Sequence, residues 1–264
     1  MKKLKSIGFF FRFRIVICFS LLFSFYTSYS QKELPYVVGE HLTFDISFVG
    51  FKVGDAELKI VDLKEINSIS TYHIIGSGRT SPFFDLFFKV RDMYETYLDT
   101  SSVLPVKFVR DIYEGGFTKQ QTYNFYHLDS IVYSQNLQYK ISKTSQDMLS
   151  ALYFARTFNK QNLKFNDSFF VPIFMDEENY LLEITYIENQ MLETQWGTIN
   201  CMVFKPKMQK GRVFEDGEKM KIWITDDPNH LLMKVETQIW AGKIIAILSD
   251  YDKIKVPMKI ELKD

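Results

Sequence analysis

Hydrophobic and polar residues alternate along much of the chain with a period of two. The first clear run places an apolar residue at every second position, at Leu42, Phe44, Ile46 and Phe48. After the segment 50–54, which contains two glycines, the alternation resumes. A strand with one buried face has this period, and glycines between two such runs are typical of a turn. The pattern therefore predicts a β-hairpin.

The same pattern recurs through the rest of the chain. Strand-like runs flank Gly115-Gly116 and the turn-like segment 226–229, and a last run begins at 241–243. About a dozen such segments are joined by short connections, which favour antiparallel neighbours. A sheet this large must curl, close or split into two layers to hide its edges. We expect a mainly β protein whose large antiparallel curved sheet closes into a barrel-like or two-layer structure.

One segment has helical spacing instead. Thr144-Ser145-Gln146-Asp147 supplies groups that cap a helix start, and Arg156 would lie in the last turn, where a cation suits the helix dipole. The sequence predicts one packed amphipathic helix of about twelve residues, since core packing explains the apolar stripe better than a cofactor site does. That stripe consists of Met148, Leu149, Leu152 and Ala155.

Residues 1–30 have the composition of a secretory signal peptide. They hold five basic and no acidic residues, and their apolar run 15–26 is followed by small residues. Ser28 and Ser30 fit the small-residue cleavage rule, which predicts a cut before Gln31. We therefore expect an exported protein of the periplasm or the outer-membrane face.

The alternative is an uncleaved anchor that begins near Gly8. It would place Arg12 and Arg14 in a span that is already short for a bilayer. With cleavage, residues 31–264 form a single β-rich domain with no transmembrane span. This part carries 27 basic and 32 acidic residues, a net charge of −5, so no basic field remains for nucleic acid.

Standard catalytic and metal-binding motifs are missing from the sequence. It contains no nucleophile elbow, no phosphate loop and no dinucleotide fingerprint. Beyond the signal peptide the one cysteine is Cys201, whose apolar neighbours predict a buried, inert thiol. We expect no metal and no cofactor, since none of the histidines has a ligand spacing: His41, His73, His127 and His230.

Four phenylalanines lie within six positions of one segment: Phe83, Phe84, Phe87 and Phe88. Alternation does not require so many rings. They indicate either a loop that plugs one end of the core, which is the favoured interpretation, or an aromatic wall for an apolar or amphipathic ligand.

Charged residues near this segment fall on otherwise apolar strand faces. An ionised group there costs several kcal/mol unless it is paired, so we expect these residues to find one another in ion pairs that fix strand register. The alternative is a cavity in which an arginine binds a carboxylate or phosphate head group. Together with Arg79 and the four phenylalanines they form a hypothetical ligand-binding site, without a catalytic residue: Arg91, Glu95, Arg110, Asp111 and Glu114.

Several segments resemble a known family in order and spacing. The chain is similar, over nearly all of residues 31–264, to the exported "domain of unknown function 3108" family, typical of Bacteroidetes-type Gram-negative bacteria. The resemblance implies a β-rich, barrel-like envelope protein, and it supplies no catalytic residues. It is carried by Gly39-Glu40-x-Leu42-x-Phe44, the run from Gly78 to Asp92, Arg110-Asp111-x-x-Glu114-Gly115-Gly116, Gln146-Asp147-Met148-Leu149-Ser150-Ala151 and Trp223-x-x-Asp226-Asp227.

Export, aromatic richness and the missing motifs favour a non-catalytic binding module. We expect a carrier or assembly factor for an amphipathic envelope component, such as a lipid, lipoprotein or glycan. The alternatives are an envelope hydrolase that uses two carboxylates, and a purely structural protein that binds an envelope partner. An apolar cavity of several hundred Å³ would favour the carrier, and an open cleft with two facing carboxyls the hydrolase.

Overall fold

The computed structural model describes residues 33–158, 163–207, 220–239 and 242–261. The predicted signal peptide, residues 1–30, lies outside the described residues, as does the junction at 240–241 between the last two predicted strands. Within the described ranges nearly all regular structure is strand.

The strands precede and follow one helix, α1 (Met148–Ala155), and a 3-10 helix occupies Phe84–Leu86. Before α1 they are β1 (His41–Phe48), β2 (Phe51–Ile66), β3 (Ile69–Thr80), β4 (Val90–Asp99), β5 (Pro105–Glu114), β6 (Phe117–Tyr126), β7 (Ile131–Ser134) and β8 (Leu137–Lys140). After α1 they are β9 (Ser168–Met175), β10 (Glu178–Thr194), β11 (Gly197–Lys207), β12 (Met220–Thr225), β13 (Leu232–Ile239) and β14 (Gly242–Asp252).

All these strands belong to one antiparallel sheet in the order β8-β7-β6-β5-β4-β3-β2-β1-β14-β13-β12-β11-β10-β9. Apart from β8 and β9, strands that follow one another in sequence are neighbours in the sheet, and the pairing of β1 with β14 joins its two halves. The mainly β, antiparallel fold predicted from the alternation is confirmed. The sheet is curled rather than closed, because β8 and β9 remain its two edges.

Alternation assigns each strand an inner face and an outer face. In β5, Val106, Phe108, Arg110 and Ile112 are buried, whereas Asp111 between them is exposed. We call the face that carries the buried side chains the inner face and the opposite one the outer face. Apolar side chains on the inner face form the core, which the curl of the sheet encloses.

The two ends of the curled sheet meet through side chains and one short backbone bridge. The ring of Phe174 on β9 contacts Tyr123 and Tyr139, with centroids 5.0 and 5.5 Å apart. The backbone N–H of Gln146 donates to the Pro172 carbonyl at 2.8 Å, and the Gln146 carbonyl accepts from Phe174 at 2.9 Å. These contacts bring the edge strands together without a ladder between them.

Helix α1 starts with a capping box. The Asp147 carboxylate accepts hydrogen bonds from the backbone N–H groups of Leu149 and Ser150 at 2.8 and 2.7 Å, and the Ser150 hydroxyl accepts from the Asp147 N–H at 2.8 Å. The predicted helix is present, but its expected start at Thr144 and length of about twelve residues are wrong. The helix has eight residues, because Gln146 pairs with β9 and holds the preceding chain extended.

Arg156 follows α1 and is buried with Glu40, an ion pair that the sequence did not predict. The two terminal guanidinium nitrogens lie 2.5 and 2.8 Å from the two carboxylate oxygens. The guanidinium lies 5.2 Å from the ring centroids of both Tyr36 and Tyr153, and its Nε donates to the Asn229 carbonyl at 3.2 Å. One side chain thus joins the N-terminal segment, the helix and the β12–β13 turn.

Cys201 lies buried on β11, as its apolar neighbours predicted. Burial raises the pKa of its thiol to about 12, so the reactive thiolate is disfavoured. The thiol is a packing group of the core.

Candidate functional site

The β3–β4 connection, residues 81–89, is held at its base by polar contacts, and we call it the aromatic loop. The Asp85 carboxylate accepts from both terminal nitrogens of Arg91, at 3.0 and 2.5 Å, and from the Thr80 hydroxyl at 2.6 Å. The Thr80 hydroxyl in turn accepts from the Val90 N–H at 2.9 Å. Hydrogen bonds from Arg91 and Thr80 lower the pKa of Asp85, which keeps its carboxylate charged.

The rings of the aromatic loop face solvent. Phe83, Phe87 and Phe88 are 63%, 74% and 55% exposed. Leu86 is 80% exposed, and Phe84 is half-buried. The Phe83 ring packs against Phe84 and Phe87, with centroids 5.2 and 5.7 Å apart. The favoured interpretation of a plug is wrong, because the polar side of the loop faces the strands and leaves the rings outside the core.

Beside the aromatic loop, the outer face of β2–β5 forms an open groove of about 470 Å³. We call it the outer groove. Ser77, whose side chain is short, is one of the residues that line the groove. The row of cross-strand neighbours nearest the loop is Asp55, Arg79, Arg91 and Tyr113, and the next row includes Ser77, Met93 and Asp111.

Arg79 is the cation of this groove whose side chain forms no ion pair with a described residue, although Asp55, which pairs with Lys52, is its cross-strand neighbour. Arg79 and Arg91 lie directly opposite each other, an arrangement that like charges disfavour. Asp85 compensates Arg91. Arg79 forms neither an ion pair nor a hydrogen bond through its side chain with any residue in the part of the chain that the structure describes. Its guanidinium donors are therefore available near the end of β3, where the aromatic loop begins.

Arg110 lies on the inner face, 4% exposed, and donates to the side-chain oxygens of Gln121 and Asp176. Asp176 and Glu177 form the β9–β10 turn, with φ of 53° and 62°, and Glu177 accepts from Gln121 at 2.7 Å. Burial opposes ionisation of Asp176, but Lys119 and Arg110 outweigh it and lower its pKa. This inner polar cluster ties the β9–β10 turn to β5 and β6.

The five charged residues predicted to pair with one another are divided between the two faces. That prediction is wrong because the outer face is open to water here, so a charge on it needs no buried partner. Arg91 and Asp111 lie on the outer face, Arg110 and Glu114 on the inner face, and Glu95 bonds to His73 at 2.7 Å.

Glu114, a predicted site residue, forms a pair of carboxyl groups on the inner face with Asp92, which was not predicted as a site residue. Burial, followed by the negative charge of Glu114, raises the pKa of Asp92 to about 6. The Asp92 carboxylate also accepts from the Tyr113 N–H at 3.3 Å. Alternation could have placed Asp92 and Glu114 on one face, but only the register of β4 on β5 brings them together.

Other features of the described ranges limit the chemistry that can be assigned. A second open pocket of about 330 Å³ is mainly apolar and is lined by Met202, Phe204 and Ile224, among others. Across residues 33–158, 163–207, 220–239 and 242–261, no group of three or more His, Cys, Asp or Glu is placed to hold a metal ion. The described helices include none that is long and apolar enough to cross a membrane.

Comparison with known proteins identifies a family without an activity. Residues 43–249 match the family model described as "Protein of unknown function (DUF3108)". This match confirms the resemblance that the sequence motifs indicated. No curated protein matches the chain.

Among solved structures, a β-barrel-like protein of the domain of unknown function DUF1849 from Brucella abortus has a TM-score of 0.54 at 8% identity, over 84% of this chain and 100% of its own. A proposed lipoprotein from Parabacteroides distasonis has a TM-score of 0.34 at 13% identity, over 83% and 97% of the two chains. A proposed exported protein with a YmcC-like fold from Bacteroides fragilis has 0.34 at 12%, over 83% and 98%. The first likeness shows a shared β-barrel-like fold.

Proposed function

This chain belongs to DUF3108, a family of proteins of unknown function, and from the geometry of its site we propose that it is an exported, non-catalytic cell-envelope protein. It binds an anionic amphipathic component of the envelope, such as a lipid or the acyl part of a lipoprotein, as a carrier or assembly factor. After cleavage near Ser30 and Gln31 it acts in the periplasm or at the outer membrane. One observation carries the proposal: the exposed rings belong to the loop that follows β3, whose last residues before that loop include Arg79, a cation that forms no ion pair with a described residue.

The apolar part of the ligand would lie on the aromatic loop. Single exposed hydrophobic side chains are normal on a protein surface, whereas contiguous apolar patches mark binding sites. Phe83, Leu86, Phe87 and Phe88 are all exposed within six positions. An aliphatic chain that covers them removes apolar surface from water, which is worth roughly 25 cal/mol per Å².

The anionic part of the ligand would bind Arg79. A guanidinium presents paired N–H donors that match the two oxygens of a carboxylate or phosphate. Arg91 lies opposite Arg79, but its charge is compensated by Asp85. The guanidinium of Arg79 is therefore the one that can bind an anion. Asp55, the cross-strand neighbour of Arg79, and Asp111 also line the groove and disfavour a second negative charge, so a singly charged head group fits best.

The proposal is tested by calorimetric titration of the protein with dodecyl phosphate below its critical micelle concentration. Arg79→Gln should weaken binding about 10- to 100-fold, because a hydrogen bond to a charged group is worth about 1.5–3 kcal/mol. Phe83→Ser with Phe87→Ser should also weaken it. Lys64→Gln and Leu128→Ser, exposed substitutions at the far end of the strands, are the matched controls and should bind like the wild type.

Two results would count against this function. If dodecyl maltoside, with its neutral head, bound as tightly as dodecyl phosphate, Arg79 would not select an anion. If the wild type bound neither detergent, the aromatic loop would not be an amphiphile site.

A carboxylate-dependent envelope hydrolase is a second candidate, favoured by the pair of Asp92 and Glu114. A carboxyl whose pKa is near 6, beside a second carboxylate, is the arrangement that general acid catalysis uses. If the protein is such a hydrolase, it should release reducing sugars from purified envelope glycan at a rate that changes near pH 6. The Asp92→Asn variant should release none. Equal release by Asp92→Asn and the wild type would exclude this role.

A further inference from the structure

Three hairpins turn at the same end of the strands. They are β1–β2 at Val49-Gly50, β3–β4 through the aromatic loop, and β5–β6 at Gly115-Gly116. Because neighbouring strands lie about 4.8 Å apart, the spacing between successive turns at this end of the strands is about 10 Å. We call the apolar residues at these turns the apolar rim: Val49, Phe51, Phe83, Leu86, Phe87, Phe88 and Phe117.

The apolar rim differs in residue type from the turns at the opposite end of the strands. Val49 and Phe51 are 60% and 71% exposed, like the rings of the aromatic loop. At the opposite end of the strands the corresponding turns are built from the polar residues that turns favour, Asn67-Ser68, Thr100-Ser101-Ser102 and Asp129-Ser130, with Ile69 and Leu128 as exposed apolar neighbours. Turn formation therefore does not explain the rim, whereas contact with an apolar phase does.

Cations stand directly behind the apolar residues of the rim. Lys52 follows Phe51, and Lys89 follows Phe88. Such side chains can reach outward along an apolar body while their ammonium groups stay in water. Lys52 contacts Asp45 and Asp55, but pairs this exposed are weak and can exchange for a lipid phosphate.

The acidic charge at the rim is already neutralised. Asp85 is the acidic residue in the three turn segments 49–52, 83–89 and 115–119. Its carboxylate is held by Arg91 and Thr80. The rim thus presents exposed aromatic side chains with Lys52 and Lys89 directly behind them.

We infer that the apolar rim docks on a lipid bilayer that contains anionic lipids, with its rings in the acyl boundary and its lysines among the phosphates. Separate tips about 10 Å apart can each enter a fluid interface. A second copy of this chain would bring the lysine rows of two rims together, which like charges oppose. The inference goes beyond the proposed ligand, since Phe51 and Phe117 lie outside the aromatic loop and do not line the outer groove.

The test places a tryptophan at the rim, as Phe51→Trp in the full chain. With vesicles of phosphatidylethanolamine and phosphatidylglycerol, its added emission should shift to shorter wavelength and be quenched by brominated lipid. Leu128→Trp at the opposite end of the strands is the matched control, and its emission should not change when vesicles are added. The native tryptophans and the N-terminal segment are common to both variants, so the difference reports the rim.

Substitution of the lysines gives a second, quantitative test of vesicle binding. In the Phe51→Trp background, Lys52→Gln with Lys89→Gln should raise the vesicle concentration for half-maximal quenching about 25-fold, since each cation near an anionic surface contributes about fivefold. Lys64→Gln with Lys143→Gln, both exposed and away from the rim, should leave it unchanged. Vesicles of phosphatidylcholine alone should quench weakly.

Three outcomes would overturn the inference: equal responses of Phe51→Trp and Leu128→Trp, no loss with the lysine double variant, or a spectral shift that follows protein concentration without vesicles. The last outcome would assign the rim to a second copy. Failure here is distinguishable from failure of the proposed ligand site, because dodecyl phosphate is titrated without vesicles and Arg79→Gln should leave the Phe51→Trp response intact.

Discussion

Arg156 and Arg110 are both buried, but the carboxylates that they hold differ in exposure. The side chain of Glu40 is 0% exposed, whereas that of Asp176 is 50% exposed and also contacts Lys119. Arg156→Met should therefore lower the free energy of unfolding by about 3–5 kcal/mol, since it leaves a buried charge unpaired. Arg110→Met should cost only about 1–3 kcal/mol, chiefly for the buried Gln121 that loses a donor. Denaturant melts measure both.

Arg91→Met is the control for these two variants, because the pair of Arg91 and Asp85 is exposed to water and its loss should leave the denaturant midpoint nearly unchanged. A loss in Arg110→Met as large as that in Arg156→Met would mean that Asp176 is sealed from water when folded.

The burial of Arg110 could be predicted from alternation, because it shares a face with Phe108 and Ile112. Its partner could not. Asp176 lies 66 residues away in sequence and reaches Arg110 only when the β9–β10 turn meets the other end of the sheet. Arg79 illustrates the same limit: its side of the strand was predictable, but its lack of an ion pair depends on Asp85 binding Arg91 and Asp55 binding Lys52.

Asp92 predicts a pH dependence of stability. Its pKa is raised from 3.8 to about 6 in the folded protein by burial and by Glu114, so the folded state binds the proton more tightly than the unfolded state. The protonated group favours folding below pH 4, and this contribution is lost as the pH rises through about 6. Asp92→Asn should be more stable than the wild type at pH 8, by about 1 kcal/mol for this half-exposed site, and equal to it near pH 3.5.

Asp85→Asn is the control of opposite sign. The pKa of Asp85 is lowered by Arg91 and Thr80, so its contribution is present above pH 4 and is lost as the pH falls. Urea midpoints at the two pH values should therefore move in opposite directions for the two variants. Parallel shifts would show that the pKa of Asp92 is not raised in the folded state.

At the scale of elements, helix α1 depends on one side chain. Asp147 caps the helix through two backbone N–H groups and also accepts from the Thr96 hydroxyl at 2.6 Å. Asp147→Ala should cost about 2–3 kcal/mol, since the cap is lost and Thr96 remains buried without its acceptor. Asp147→Asn keeps the capping oxygen and should cost under about 1 kcal/mol in thermal or denaturant melts.

Equal losses in Asp147→Ala and Asp147→Asn would indicate that the negative charge, rather than the cap, stabilises this region. That result would disagree with burial, which raises the pKa of Asp147 to about 6 and disfavours the charge.

Hairpins and the helix were predictable as elements because their signals are local. Glycine pairs and polar turn residues mark strand ends, and capping groups mark a helix start. The misplaced start of α1 and the outward rings of the aromatic loop have one cause: each depends on a contact made elsewhere. Gln146 pairs with β9 across the sheet, and Asp85 turns back onto Arg91.

At the scale of the whole molecule, the order of strands follows from short connections, but the joining of β1 to β14 does not. Leu42 lies opposite Tyr251, more than 200 residues later, and alternation carries no information about such a register. The sequence therefore predicted a curved antiparallel sheet and left closed, layered and curled forms open. The curl decides the site, because it turns the outer groove and the apolar rim to solvent while it encloses the inner polar cluster.

The N-terminal boundary can be tested against this architecture. Tyr36 is 2% exposed and packs edge-on against Tyr72 and Tyr153, with centroids 5.6 and 5.2 Å apart. A chain that begins at the predicted cleavage site, Gln31, keeps Tyr36 and should be fully stable. A chain that begins at Val38 loses this ring and the face that it offers Arg156, and should unfold with about 3–5 kcal/mol less free energy.

Processing in the native host should therefore stop short of Tyr36, and intact-mass measurement should find the first residue at Gln31 or within two positions of it. A chain that begins at Glu33 serves as the control for truncation as such and should melt like the chain from Gln31. A mass that retains Met1 would favour the anchored alternative. A mature protein that begins beyond Tyr36 would show that the Arg156 pair is stable without the aromatic ring beside it.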